Sequence, residues 1–146
     1  MKVRMIAITS LLTLLVLAAC GEPISPAATA ASTGLPVLPR NAFGFIDLKV
    51  EQLAKSMKTK NFTPVNVHVP EPEYLPNTDL AVPFDRITGY LDKLPGKDAP
   101  IVLYCRSGGM STQAAAALAA AGYTKIYELD GGYRAWKAAG HDLLKK

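Results

Sequence analysis

The chain has 146 residues, 49% of them hydrophobic and 19% charged, which is enough for one domain around one core. Its formal net charge of +4 comes from 16 Lys and Arg against 12 Asp and Glu, scattered without an arginine cluster or interleaved aromatics, and this excludes a nucleic-acid surface. Two separated histidines, with no carboxylate motif at ligand spacing, exclude a metal site, and nothing in the composition calls for a cofactor.

Lys2 and Arg4 form a positive start, followed by an apolar stretch from Ile6 to Val16 broken only by Thr9, Ser10 and Thr13. The stretch is too short for a comfortable membrane span and has the layout of a secretory signal. It runs into Leu17-Ala18-Ala19-Cys20, which resembles the lipobox of bacterial lipoproteins. That resemblance implies a signal peptide over residues 1–19 and a lipidated Cys20 as the first mature residue. The protein would then be anchored to a membrane of the bacterial cell envelope, outside the cytoplasm. An ordinary signal peptide cleaved nearby is the alternative. Several acyl chains hold a protein firmly to a bilayer, where one is marginal. Residues 20–40 are rich in Pro, Ala, Ser and Thr and read as a flexible tether. The folded domain is expected over residues 41–146.

Phe43 to Leu48 reads as a short strand. Val50 to Lys58 reads as a helix, because Val50, Leu53, Ala54 and Met57 share one face. Pro64 to Val69 alternates with period two and reads as a strand closed by Pro70. Pro70 to Asp79 is a loop, and Leu80-Ala81-Val82 a short extended piece. Asp85 to Leu94 reads as a helix through Ile87, Leu91 and Leu94, weakened by Gly89. Ile101 to Cys105 reads as a buried strand, Arg106 to Gly109 as a tight turn, and Met110 to Leu118 as a helix stopped by Gly122. Lys125 to Leu129 is a strand, and Asp130-Gly131-Gly132 turns the chain into a last helix from Tyr133 to Ala139. Strands alternating with helices predict an α/β fold with a parallel or mostly parallel sheet covered on both faces. In such folds the active groups lie beyond the carboxyl ends of the strands, and Cys105 stands at one of them.

A thiol between a strand end and a helix start faces unpaired backbone N–H groups, which favour the thiolate and can hold an anion bonded to the sulfur. With Cys20 lipidated, Cys105 is the one free thiol of an exported protein, and no intrachain disulfide can protect it. Cys105 is therefore the candidate nucleophile; the bland reading is an inert buried cysteine.

The pieces Val65-Asn66-Val67-His68, Glu73-Tyr74, Val82-Pro83-Phe84-Asp85, Cys105-Arg106-Ser107-Gly108-Gly109-Met110-Ser111, Gly122-Tyr123 and Leu129 to Trp136 together resemble a single rhodanese domain, of the sulfurtransferase family, over about Asn41 to Gly140. The resemblance implies a three-layer sandwich around a central five-stranded parallel sheet. It also implies that Cys105 takes sulfane sulfur as a persulfide from a small donor such as thiosulfate and passes it to a thiol or a cyanide-like acceptor. The protein acceptor is not named by the sequence. Arg106, Ser107, Gly108, Gly109, Met110 and Ser111 would bind the substrate and the negative sulfur. Three departures stand out. Asn66 and His68 occupy places where the family often has Asp and Arg. Gly109 and Met110 stand where many members carry a further arginine, which predicts weaker selection of thiosulfate. The usual Gly-His-Ile pattern upstream is absent between Leu75 and Asp79.

Several of these residues also have a plain structural reading. Arg106 attracts anions or simply faces solvent. The hydroxyls of Ser107 and Ser111 hold the persulfide or cap the helix. Gly108 and Gly109 permit the turn. Met110 lines the mouth or begins the core face of its helix. His68 is read as a structural hydrogen-bonding residue, His141 as exposed, and Trp136 with Tyr133 as the anchor of the last helix. Phosphatases that resemble rhodaneses in fold close a longer loop with an arginine six positions after the cysteine; that place is Ser111 here, so the clamp for phosphoryl oxygens is missing. The non-enzymatic alternative is a rhodanese-like sulfur-carrying, redox-sensing or protein-binding module at the cell envelope.

Overall fold

The computed structural model describes residues 34–70 and 73–145. The expected signal peptide, Cys20 and the expected tether through residue 33 lie outside the described residues. Five strands form one all-parallel sheet: β1 (Ile46–Leu48), β2 (Thr63–Asn66), β3 (Leu80–Ala81), β4 (Ile101–Tyr104) and β5 (Ile126–Leu129), in the order β1-β5-β4-β2-β3. The helices are α1 (Val50–Ser56), α2 (Gly109–Ala120) and α3 (Gly132–Ala138), with 3-10 turns at Met57–Thr59 and Phe84–Tyr90. This is the α/β sandwich that the alternation of elements predicts.

All four residues of β4 are buried, as a central strand with both faces covered must be. Its period of two splits the core into two layers. Ile101 and Leu103 join Val65, Ile126, Ala114, Ala115 and Leu118 under α2. Val102 and Tyr104 join Leu48, Leu53, Leu129, Tyr133 and Trp136 under α1 and α3. The alanines of α2 let the helix axis lie close to the sheet, and they also make the helix weakly amphipathic in sequence. Its end is set by Gly122, at φ +89°, where the Gly122 and Tyr123 N–H groups donate to the Ala119 and Leu118 carbonyls.

The strand expected from Phe43 begins at Ile46, and the helix expected to Lys58 ends at Ser56 in a 3-10 turn; three further departures are larger. The strand expected through Val69 ends at Asn66, because the Asn66 side chain accepts from the His68 N–H at 2.9 Å and so turns the chain out of the sheet. The helix expected from Asp85 to Leu94 is a 3-10 helix over Phe84–Tyr90 followed by turns, and only Ile87 and Leu94 of its three apolar positions are fully buried. Residues 34–40, which composition assigns to the tether, lie against the domain: Leu35 and Leu38 pack on the α1/α3 layer, and the Tyr127 hydroxyl donates to the Pro36 carbonyl at 3.3 Å.

The connections after β2 and β4 leave the sheet in opposite directions, because β2 leads to β3 on one side and β4 to β5 on the other. The crevice beyond the carboxyl ends of β2 and β4 is thus a topological switch point, the place where open α/β sheets bind ligands.

Candidate active site

Cys105 follows β4 directly and lies at that crevice. Its side chain is on the α2 layer and the residue is only 2% exposed. The turn after it is closed by Gly108, whose φ of +104° no side-chain-bearing residue adopts comfortably. That turn aims the Gly108 N–H at Cys105 Sγ, 3.1 Å away, and the next turn of chain brings the Ser111 hydroxyl to 3.3 Å from the same sulfur. Burial pushes the thiol up, but the Ser111 hydroxyl and the N–H groups of Ser111, Ser107 and Gly108 outweigh it, and the thiol ends below its ordinary value of 9.0.

The loop is held from behind by the segment after β5. The Tyr133 N–H donates to the Cys105 carbonyl at 2.9 Å and the Arg134 N–H to the Arg106 carbonyl at 3.1 Å. So close an approach is possible only because residue 132 is glycine. It lies at φ +58°, and a Cβ there would collide with the Cys105 carbonyl oxygen and stand 2.7 Å from the Arg106 carbonyl carbon. The Asp130-Gly131-Gly132 turn is therefore the back wall of the cysteine loop.

Above the sulfur opens a cavity of about 710 Å³. Arg106, Ser107, Gly109 and Met110 of the expected set line it, whereas Gly108 contributes its N–H and Ser111 lies beneath the sulfur, buried. Met110 does both jobs considered for it: it packs against the core and faces the cavity. Gly109 is exposed and has open space where a Cβ would be. Among the described residues that line the cavity, Arg106 is the one Lys or Arg. Five wall residues were not singled out from sequence as site residues: Val69, Pro70, Phe84, Gln113 and Tyr133. His68, read as structural, is also on the wall, with Nδ1 3.3 Å from Met110 Sδ and its ring edge-on to Tyr133 at 5.7 Å. The Asn66 side chain beside it works as neutral hydrogen bonding in place of an ion pair, donating to the Glu73 carbonyl at 3.1 Å. Trp136 is buried as expected, but His141 is half-buried and packs on its ring at 4.4 Å.

Sequence reasoning missed Glu128. It is 2% exposed, on the α2 side of β5, and its Oε1 is 2.5 Å from the Ser111 Oγ. Desolvation, with the carboxylates of Asp130 and Asp47 adding to it, pushes Glu128 up to about 7 despite the Ser111 hydrogen bond. The available signal was the alternation itself: Glu128 falls in phase with the core-facing Ile126.

The geometry is a strand–loop–helix cradle in which one buried thiol faces the Gly108 N–H and the Ser111 hydroxyl. The Rhodanese-like domain family matches residues 51–139, and the chain belongs to that family. A thiosulfate sulfurtransferase GlpE of Ectopseudomonas mendocina is 46% identical over 41 residues, 28% of this chain and 38% of that protein. A sulfurtransferase of Allochromatium vinosum is 41% identical over 65 residues, 44% of this chain and 60% of its own length. Each match thus spans less than two thirds of the relative. Among solved structures, the rhodanese-like domain of the Anabaena Alr3790 protein superposes with a TM-score of 0.62 at 21% identity, covering 75% of this chain and 81% of that one, a likeness of fold. These relatives support sulfurtransferase chemistry at the level of the family.

Proposed function

We infer that the protein is a sulfurtransferase that carries sulfane sulfur on Cys105 as a persulfide, moving it from a thiosulfate or persulfide donor to a thiol or cyanide-like acceptor. The observation that carries this reading is the Cys105 sulfur facing the Gly108 N–H at 3.1 Å at the floor of an open cavity. The Cys105 thiolate attacks the outer sulfur of thiosulfate. The bond to the sulfonate sulfur breaks, sulfite leaves with the electron pair, and Cys105 keeps a terminal sulfur anion. N–H donors fixed before the reaction stabilise that charge without reorganising. An acceptor thiolate then takes the outer sulfur and regenerates the Cys105 thiolate.

The cavity favours one class of donor. Arg106 alone balances anionic charge, while Phe84, Met110, Val69 and Pro70 offer apolar wall. A singly charged organic persulfide suits such a wall better than a small dianion does. The expected export as a lipoprotein through Cys20 belongs to the same reading and would put the acceptor in the cell envelope, with residues between the anchor and the domain giving it reach.

Incubation of the full chain with thiosulfate or glutathione persulfide, followed by mass analysis of the Cys105 peptide, tests the chemistry. A gain of one sulfur that cyanide removes supports it, and Cys105→Ser abolishes the gain while the fold stays intact. No gain with either donor on a demonstrably reduced thiol sinks it. The anchor is tested by fractionation in a bacterial host: the wild type enters the membrane with a lipid-modified fragment beginning at Cys20, and Cys20→Ala does not. A freely soluble, unmodified wild type, cleaved elsewhere, defeats that part alone.

A further inference from the structure

Ser111 has one hydroxyl proton and three acceptors within reach. Its Oγ is 3.3 Å from Cys105 Sγ, 3.0 Å from the Gly108 carbonyl oxygen and 2.5 Å from Glu128 Oε1. A hydroxyl donates once and accepts through its lone pairs. The direction of its donation therefore decides whether the sulfur meets a proton or a lone pair. The shortest of the three contacts is to a carboxylate that is itself sealed from solvent.

We propose that Glu128 is a positioning residue that sets the protonation of Cys105 through Ser111. This rests on the reading of Cys105 as the reacting sulfur. When Glu128 is ionised it accepts the hydrogen bond of the Ser111 O–H, and Oγ presents a lone pair to the sulfur, which holds the thiol form. When Glu128 is protonated its own O–H donates to Oγ, the Ser111 proton turns to Sγ, and the thiolate is held. The two arrangements contain the same number of protons and interconvert by a relay. The Cys105 S–H bond breaks and its proton passes to Ser111 Oγ. The Ser111 proton passes to Glu128 Oε1, and the S–H electron pair stays on sulfur. No proton is exchanged with water, and no oxidant or reductant is needed. Sulfur uptake then proceeds with Glu128 neutral, so the persulfide anion does not face a buried carboxylate.

The surroundings of Glu128 suit that role. Asp47 comes from β1, directly opposite in register, and Asp130 follows on its own chain; the carboxylate oxygens of the three lie within 4.8 Å of one another. Asp47 is occupied by the Asn41 amide at 3.1 and 3.2 Å. α2, which packs over the site, carries no ionisable side chain between Gly109 and Ala120. Arg106, His68 and Tyr133 of α3 line the cavity, and Glu128 does not. Among the described residues no cation therefore holds Glu128 ionised, and the pressure on it is toward taking a proton. Its upward shift and the downward shift of Cys105 bring the two groups toward each other, as a shared proton requires.

The test is the pH profile of Cys105 alkylation by iodoacetamide in the full chain, read by mass spectrometry at the tryptic peptide Asp98–Arg106 so that Cys20 does not contribute. The wild type is expected to rise in two steps, since the singly protonated pair is partly thiolate. Glu128→Gln, which cannot take a proton, is expected to rise in one step, about one pH unit below the upper step of the wild type, a tenfold change in thiolate fraction. In a Ser111→Ala background the same Gln substitution should move the profile by less than half as much. A single wild-type step that superimposes on Glu128→Gln overturns the proposal. So does a lower step that survives in Glu128→Gln, which then belongs to His68, and so does an equal shift with and without Ser111, which makes Glu128 a distant charge only. If Glu128→Gln does not fold, Ser111→Ala decides, by losing or keeping the lower step. Alkylation needs no sulfur donor. A two-step profile with no sulfur uptake would therefore reject the sulfurtransfer reading and leave this relay standing.

Discussion

Tyr104 and Cys105 are neighbours at the end of β4 and serve opposite layers of the sheet. Both are buried and both carry an ionisable group, yet they are pushed in opposite directions. Tyr104 is held in the α1/α3 layer, where its hydroxyl meets the Thr78 Oγ at 2.6 Å and accepts from the Leu75 N–H at 3.2 Å. Burial there pushes it up to about 12 in spite of those partners. Cys105 is in the α2 layer, where burial also acts upward but the Ser111 hydroxyl and the loop N–H groups win. Burial alone makes a group inert. Donors aimed at the charged form oppose it on both sides of β4, and only at Cys105 do they prevail.

The largest break in this arrangement is expected from Gly132→Ala. The substitution forces a side chain into the left-handed region and into the carbonyl groups of Cys105 and Arg106. The backbone strain and the overpacking together cost about 4 kcal/mol. Chemical denaturation measures that loss, and the alkylation rate of Cys105 in the folded fraction should fall with it. A variant of wild-type stability would mean that the α3 turn does not brace the loop.

Glu128→Gln is expected to act on stability in a pH-dependent way. The folded value of about 7 is above the ordinary 4.5, so folding favours the protonated acid. That contribution is fully present below about pH 4.5 and is lost as pH rises through about 7. The wild type then carries the cost of a buried charge that glutamine does not have. The variant should match the wild type near pH 4 and exceed it near pH 8 by about 3 kcal/mol. Thermal midpoints at the two pH values check this, and parallel curves would contradict it.

Much of this was legible in the sequence, and the reason differs by feature. β4 was readable as an apolar run because a central parallel strand is buried on both faces, β2 was readable through its period of two, and Gly122 ended its helix where a Schellman turn needs glycine. The Cys105 loop was readable because its residues are contiguous. Glu128 is 23 positions from Cys105 and reaches it only through Ser111, a contact that β4–β5 pairing and the placement of α2 create. His68 was legible as a hydrogen-bonding residue but not as cavity wall, because the exit of the chain after Asn66 depends on one side-chain contact. The stretch Asp85–Leu94 had helix spacing, yet too few of its positions meet the core for an α-helix to outlast a 3-10 turn.

Tyr104→Phe sharpens the contrast from the other side. It leaves the Leu75 N–H without its acceptor in a buried place, at a cost of about 1–3 kcal/mol. The loop tied by Thr78 and Leu75 should loosen, seen as faster hydrogen exchange at Leu75. The pH profile of Cys105 should not move. An altered thiol titration in this variant would show that the two layers are coupled across the strand.

The smallest expected effect is from Gly109→Arg. Residue 109 is exposed, at the cavity mouth, with nothing within 4 Å of the place a Cβ would take. Stability should therefore change by less than about 0.5 kcal/mol, as at most surface positions. The added guanidinium gives the mouth a second cation beside Arg106. Thiosulfate carries two negative charges into the site and glutathione persulfide brings less charge to its reacting end, so the gain should favour thiosulfate. At a solvent-exposed mouth one added charge is worth about 1 kcal/mol, or about fivefold in the second-order rate at low salt. Screening should erase most of it as the Debye length contracts toward contact distances. Stopped-flow sulfuration with the two donors, at low and high ionic strength, separates the outcomes. A thiosulfate gain that disappears with salt supports a charge-poor mouth as the reason for donor preference. Equal gains for both donors, or none, would place that preference in the apolar wall formed by Phe84 and Met110 instead.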